Sequence, residues 1–306
     1  MKTTCVSMDT IDESRVIIQP LNPEWYQHKV AALDMLRLDL LHPVISGNKW
    51  YKLRLNIKHA QENGQKAIVT FGGGYSNHLV ATAYACKLYG IKATGIVRGN
   101  YEVLTPTLVQ CREEGMELIF VSQEEYKNKQ DGGWINKLVA SFDELLIIPE
   151  GGANEWGRAG AGLINRFVKD TYTHVAVAVG TGTTLIGLRN KINERQQILG
   201  FAPMRQGLYL KDYISEHIQE SRNKDWQLFD NWHLGGFGKW NDELITFMND
   251  FYYQNNIPLD VVYTSKMMYG VRDMLAAGDF DAGARILCVH SGGLQGNASV
   301  KDKLNY

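Results

Sequence analysis

Apolar positions along this chain recur with two periods, and the alternation between them predicts its architecture. Residues 33–40 alternate, with Leu36, Leu38 and Leu40 on one face and Arg37 and Asp39 on the other, as a half-buried strand does. From Lys52 the spacing changes, and Leu53, Ile57 and Ala60 recur at helical intervals until Asn63-Gly64 ends the run. Residues 66–71 read as a buried strand. Further strands are predicted at 92–97, 117–121 and 144–148, separated by helices at about 76–89, 105–114 and 133–142. Such alternation specifies a mainly parallel sheet, because parallel neighbours need crossover connections and the helices supply them. The pattern breaks at Pro149-Glu150-Gly151-Gly152-Ala153-Asn154, a glycine turn ahead of a long helix, which marks a return between domains. A second series follows. Its strands are predicted at 174–179, 198–201, 261–263 and 286–290, and its helices from about Leu185, at about 242–253 and at about 266–277. Residues 203–235 hold fragments with Trp and Tyr but no clear period, and no element is assigned there.

At 306 residues and 44% hydrophobic content, the chain can bury two cores rather than one. Its 32 basic and 33 acidic side chains leave a net charge of -1, so no basic field exists to attract nucleic acid and no charge run to hold a membrane surface. Small-molecule chemistry is the default. Cys5, Cys86, Cys111 and Cys288 are far apart and form no Cys-x-x-Cys pair, which argues against a zinc site or a disulfide framework. Residues 1–13 lack an apolar core, and no later apolar run approaches the ~20 residues of a membrane span. The expected location is the cytoplasm.

Three stretches carry candidate chemistry. In Ser46-Gly47-Asn48-Lys49-Trp50-Tyr51-Lys52 an extended segment gives way to a helix, so Asn48 can cap it and Lys49 falls in its positively charged first turn. A cation is badly placed there; an imine-forming amine is better placed, although a solvated helix lysine is the plainer reading. Gly180-Thr181-Gly182-Thr183-Thr184 follows a buried strand and opens a helix, where amides and hydroxyls make an anion site. The loop lacks a Walker lysine and does not fit Gly-x-Gly-x-x-Gly, which disfavours ATP and dinucleotides. Gly72-Gly73-Gly74-Tyr75-Ser76-Asn77-His78 occupies the equivalent turn of the first series and places a hydroxyl, an amide and an imidazole beside a helix N-terminus suited to a substrate carboxylate. Ser76 or Asn77 also serves as a cap in this reading.

Together with Pro149-Glu150-Gly151-Gly152, Val262-Tyr263-Thr264, Lys266 and His290-Ser291-Gly292-Gly293, these stretches stand in the order of one family. From about residue 32 to 293 the chain resembles the D-cysteine desulfhydrase and 1-aminocyclopropane-1-carboxylate deaminase family, within the tryptophan-synthase-β-like, fold type II pyridoxal-phosphate enzymes. The resemblance implies a two-domain α/β fold, with residues 48–152 as the smaller domain, 1–47 with 153–306 as the larger, pyridoxal 5'-phosphate in the cleft between them, and a homodimer. It implies Lys49 as the Schiff-base lysine, Asn77 on the cofactor's 3′ oxygen, and Gly180, Thr181, Gly182, Thr183 and Thr184 as the phosphate loop. Ser76, Asn77, His78, Tyr263 and Ser291 fall at substrate-side positions, with Lys49, Ser76 and Tyr263 catalytic and Thr264 beside the cofactor.

The activity implied is α,β-elimination and deamination of a small amino acid, with D-cysteine leading and 1-aminocyclopropane-1-carboxylate deaminase as runner-up. A serine or threonine dehydratase, a racemase and a non-catalytic binding protein follow. Three residues depart from the family: Ser46 replaces a glycine, Tyr75 a common glutamine, and Phe237 a tyrosine of the deaminases. Thr264 and Ser291 stand where the ring-opening enzymes carry a glutamate and a leucine, and where desulfhydrase-like members carry hydroxyls. A carboxylate beside the pyridine nitrogen strengthens the ring as an electron sink; a hydroxyl there suits loss of a good leaving group such as thiolate.

Overall fold

The computed structural model describes residues 11–140 and 144–306. In chain order the elements are β1 (Ile18–Pro20), β2 (Ala32–Arg37), α1 (Asn48–Glu62), β3 (Ala67–Gly73), α2 (Asn77–Leu88), β4 (Lys92–Arg98), α3 (Pro106–Glu113) and β5 (Met116–Val121). They continue with α4 (Gly132–Leu138), β6 (Leu145–Ile148), α5 (Glu155–Gly162), β7 (His174–Ala178), α6 (Thr183–Arg189), β8 (Gln197–Phe201), α7 (Leu210–His217), β9 (Trp226–Phe229), α8 (Asp242–Asn255), α9 (Thr264–Ala277) and β10 (Arg285–His290).

The strands form two sheets, one of order β5-β4-β3-β6 and one of order β1-β2-β10-β7-β8-β9. Every pairing is parallel except β1 with β2. The central strands explain why. Ile68, Val69 and Phe71 of β3, and Val175, Ala176 and Val177 of β7, are all buried, so both faces of each strand need covering, and the crossover helices cover them. The four-stranded sheet draws only on residues 67–148, and the six-stranded sheet on the segments either side. One apolar cluster nevertheless joins them, with Ile68, Leu79, Leu36 and Val175 among its members.

Glycines set how closely the helices between the sheets approach. In α5 a Cβ on Gly160 would lie 2.0 Å from the Tyr51 carbonyl oxygen of α1, and one on Gly187 of α6 would lie 2.4 Å from the Arg158 oxygen of α5. With no side chain at these points α5 wedges between α1 and α6, and the two helices whose first turns carry the candidate chemistry share a support.

Several expectations are corrected. Residues 261–263 form a turn, not a strand, because the Asp260 carboxylate accepts the Val262, Tyr263 and Thr264 amides that a ladder would need. Residues 38–40 leave β2 for a single 3₁₀ turn. The cap of α1 is Gly47, at φ +68°, with no side-chain bond, and Asn48 lies inside the helix. The helix after Asn154 is short and tightens into a 3₁₀ stretch at Leu163–Phe167. The helix expected at 133–142 is α4, which ends sooner, at Leu138; positions 141 and 142 of the expectation lie outside the described residues. α7, β9 and the edge strand β1 have no counterpart in the periodicity.

Helix propensity and packing predict opposite signs for one substitution. Ala is about 1 kcal/mol better than Gly in a helix interior, but a methyl at Gly160 meets backbone that cannot swing aside. Gly160→Ala is expected to destabilise by ~2 kcal/mol or more. Gly132→Ala, where nothing lies within 4 Å of the added carbon, is expected to be neutral or stabilising. Chemical denaturation of both variants checks it; equal midpoints would show that α5 does not wedge against α1.

Candidate active site

The carboxyl ends of β3, β4, β6, β7 and β10 open on one cavity of about 710 Å³, the position where open α/β sheets bind ligands. Strand exits deliver the side chains. β3 leads through glycines to Ser76, Asn77 and His78, β7 leads to 180–184, and β10 leads to Ser291, while α1 brings in Lys49 and Lys52.

Lys49 Nζ donates to Asn48 Oδ1 at 2.7 Å and stands 5.8 Å from the centre of the Tyr263 ring. Burial disfavours its charged form and lowers its pKa from 10.5 to about 8, with Asp260 opposing the shift. Lys52, one turn on, is buried and also lowered well below its ordinary value, by burial first and then by the like charge of Lys49. Both amines line the cavity.

His78 can be assigned a tautomer from its neighbours. The Thr70 hydroxyl gives its one hydrogen to the Ile148 carbonyl oxygen at 2.8 Å, so His78 Nε2, at 3.0 Å, must be the donor to Thr70 Oγ1. Nδ1 then carries a lone pair, and it is buried without a protein partner. Burial, with Lys52 and Lys49 behind it, lowers the ring's pKa to about 3, so it is neutral at physiological pH. Asn77 is buried too, and its Oδ1 likewise lacks a protein partner. A Cβ on Gly293, at φ +94°, would lie 2.7 Å from Asn77 Nδ2, so the amide is held against bare backbone. Ser76 caps α2 by accepting the Leu79 amide at 3.3 Å, and Gly72 leaves the space it occupies.

The 180–184 loop turns at Gly182, φ +78°, which caps α6 and whose missing Cβ would sit 2.8 Å from Ile214 Cγ1. The first amides of the helix have no carbonyl ahead of them to bond. Thr181 and Thr183 share a hydroxyl–hydroxyl bond of 2.8 Å, and Thr184 Oγ1 accepts Asn48 Nδ2 at 2.8 Å. Asn48 therefore holds the loop with one end of its amide and Lys49 with the other. Gly180 passes against the Tyr263 ring, 3.3 Å from where a Cβ would stand. The Tyr263 phenol stays protonated, its pKa raised by burial, Asp260 and Glu150.

Thr264 is placed differently from expectation. It is fully buried and does not line the cavity. Its hydroxyl donates to Asp260 Oδ2 at 2.5 Å and accepts the Asp260 amide at 2.8 Å. Ser291 is the hydroxyl of that pair that reaches the cavity. Asp260 itself escaped the sequence reading, although an Asp just ahead of a helix is a capping signal. Arg98, Tyr101, Lys129 and Glu150 also line the wall. Glu150 lies in the Pro149-Glu150-Gly151-Gly152 stretch, but Arg98, Tyr101 and Lys129 belong to no motif, and only the topology brings them to it.

These groups fit pyridoxal phosphate. The residues that line the cavity bring to it an amide and an imidazole with unpartnered acceptor atoms, a glycine turn with unpaired amides, and a primary amine with a lowered pKa. Among the described residues no group of acidic and histidine or cysteine side chains could hold a metal.

Comparisons with known proteins agree. The chain is 28% identical over 284 residues to a protein of Pyrococcus horikoshii named "Putative 1-aminocyclopropane-1-carboxylate deaminase", covering 88% of this chain and 86% of that one. It is 24% identical over 287 residues to the mitochondrial bifunctional D-cysteine desulfhydrase/1-aminocyclopropane-1-carboxylate deaminase of Arabidopsis thaliana, covering 85% of this chain and 72% of the relative. The crystal structure of an ACC deaminase homologue superposes with a TM-score of 0.82 at 28% identity, over 94% of this chain and 92% of that one. The model of the family described as "Pyridoxal-phosphate dependent enzyme" matches residues 28–292, most of the chain, and the chain belongs to that family.

Proposed function

We propose that the enzyme removes a β-substituent and the amino group from a small amino acid, and that D-cysteine, giving pyruvate, hydrogen sulfide and ammonia, is its leading substrate. One observation carries the reading. Among the described residues Glu150 is the only carboxylate that lines the cavity, and it is paired with Lys129. The Asp260 carboxylate behind Thr264 is consumed by three amides and a hydroxyl. No free carboxylate among the described residues is left to charge a pyridine nitrogen, which favours loss of a thiolate over opening of a cyclopropane ring.

Bound in the cavity, pyridoxal phosphate would supply the electron-withdrawing ring that loosens a proton on the substrate's α-carbon. The chain's own residues do the rest. Lys49 would hold the cofactor, Asn77 would bond its ring oxygen and the 180–184 loop its phosphate. Lys49 Nζ, brought to about 8 by burial, can take up a proton near neutral pH. Ser76, Asn77 and the free amides at the start of α2 would receive the substrate carboxylate, while the neutral His78, whose unpartnered Nδ1 can only accept, stands beside them without adding charge. Tyr263 can donate its proton to a departing group. The same reading, supported by the family resemblance, takes 48–152 as a small domain and the chain as a cytoplasmic homodimer. No helix among the described residues is long and apolar enough to cross a membrane.

Purified protein should release pyruvate and sulfide from D-cysteine and give little 2-oxobutanoate from 1-aminocyclopropane-1-carboxylate. Ring opening at least as efficient as sulfide release would make the deaminase the better reading.

Borohydride reduction of the loaded protein, followed by peptide mapping, should find the cofactor on Lys49 and not Lys52. Only the neutral amine reacts, and with its pKa at about 8 the amine loses its proton as pH rises past that value. Loading of cofactor-free protein is therefore expected to speed up about tenfold per pH unit below 8 and to level off above it. A rate that keeps climbing to pH 10 would place the anchor on an ordinary lysine.

In the 180–184 loop, Thr183→Ala is expected to weaken cofactor binding by ~1–2 kcal/mol, the worth of one hydrogen bond to a charged group. Gly182→Val should do far more damage, since it needs φ +78° and drives a side chain toward Ile214. Titration of cofactor-free protein compares them; wild-type affinity in Gly182→Val would place the phosphate elsewhere.

A further inference from the structure

Arg98, at the cavity mouth, has no counter-charge among the described residues. Arg98 ends β4 directly opposite Gly73 of β3, and its Nη2 passes 3.5 Å from where a Cβ on Gly73 would stand, so the guanidinium lies across the bare glycine backbone of the substrate-side loop. Tyr101 fixes this arrangement by donating to the Arg98 carbonyl at 3.2 Å and accepting the Gly74 amide at 3.0 Å. The Tyr126 ring lies beneath, flanked by Arg98 at 5.7 Å and Lys129 at 4.9 Å. The two cations are not equivalent: Lys129 is neutralised by Glu150, whereas Arg98 has no carboxylate partner among the described residues. Deeper in, burial lowers the pKa of Lys49 to about 8 and that of Lys52 well below its ordinary value, whereas a guanidinium keeps its proton at any physiological pH.

A planar guanidinium fork held over an aromatic ring and open to solvent is suited to bidentate recognition of a carboxylate. The substrate's own α-carboxylate already has the start of α2. A cavity of about 710 Å³ is in the upper part of the ~300–1,000 Å³ range of small-molecule sites, and leaves room beyond the cofactor and a three-carbon amino acid. We propose that Arg98, backed by Tyr126, is a specificity-determining subsite for an acidic group at the far end of the substrate, so that preferred substrates are β-thio-substituted alanines whose leaving group carries a carboxylate. This rests on the elimination reading and makes D-cysteine the smallest member of the class. In the reaction the α-carbon gives its proton to Lys49 Nζ, and the Cβ–S bond breaks with its electron pair leaving on sulfur. One water is consumed as pyruvate and ammonium form, and the acid-bearing thiolate takes up the remaining proton.

The test is a matched pair, S-carboxymethyl-cysteine and its amide, S-carbamoylmethyl-cysteine, equal in size and different in charge. Both enantiomers are titrated calorimetrically into loaded wild-type, Arg98→Gln and Arg98→Lys protein, with pyruvate release followed in parallel. The wild type is expected to bind the carboxylate at least about tenfold more tightly than the amide, as one charge-assisted contact provides. Arg98→Gln should abolish the ratio and Arg98→Lys should restore part of it. Equal affinities in the wild type, or a ratio that survives Arg98→Gln, would overturn the subsite. Failure of the elimination reading shows separately, as a ratio that depends on Arg98 with no pyruvate from any ligand.

Discussion

The site is assembled where two backbones touch. A Cβ on Gly47 would stand 1.9 Å from the Ser291 carbonyl oxygen, and one on Gly292 would stand 2.5 Å from Ser46 Oγ, so only glycine fits at either point. The contact sets the exit of β10 against the entrance of α1, and the Asn48 amide seals it by donating to the same Ser291 oxygen at 3.3 Å. Lys49 is two residues from this point and Ser291 is part of it. The anchor lysine is thus positioned by main chain rather than by the rotamers of its neighbours, and main chain yields far less to thermal motion. Gly47 at φ +68° does what a capping side chain does elsewhere, which frees the Asn48 side chain for the phosphate loop.

The cavity breaks rules that the rest of the chain obeys. Two lysines and a histidine are withdrawn from water with one carboxylate on the wall, and that carboxylate is spoken for by Lys129. Elsewhere buried cations are given partners: Arg37 meets Asp39 through two nitrogens, and Lys266 and Arg189 donate to backbone carbonyls. Desolvated amines without counter-ions cost stability, and they persist where a lowered pKa is useful, as it is for an amine that must react as a free base. A doubly negative phosphate and a substrate carboxylate are the charges such a wall lacks.

What the sequence disclosed follows from where local and tertiary forces agree. The β3–α2 turn was legible because an apolar run, three glycines and a Ser-Asn pair all call for a strand, a close approach and a cap at one place. Residues 261–263 misled because all three are β-formers, while the force that decides them is the Asp260 carboxylate gathering the Val262 and Tyr263 amides. β9 is an edge strand with no fully buried residue, and α7 buries only Leu210 and Ile214, so neither has enough core contact to impress a period on its residues. Arg98 and Lys129 come from segments far from the Pro149-Glu150-Gly151-Gly152 turn that they join, and no local pattern marks residues that meet only through sheet order.

One side chain shows how the two halves of the site are made to act together. The Asn48 amide has a donor end and an acceptor end: Nδ2 holds Thr184 in the loop that follows β7, and Oδ1 holds Lys49 Nζ. The residue sits on α1, which α5 presses toward α6 through Gly160 and Gly187. A shift of α6 relative to α1 must therefore stretch the bond to Thr184 and reorient the acceptor that orients the lysine. Phosphate binding at 180–184 and the direction of the Lys49 amine are in this way two ends of one hydrogen-bonded unit, and a group that satisfies the loop also fixes the geometry in which the amine meets it.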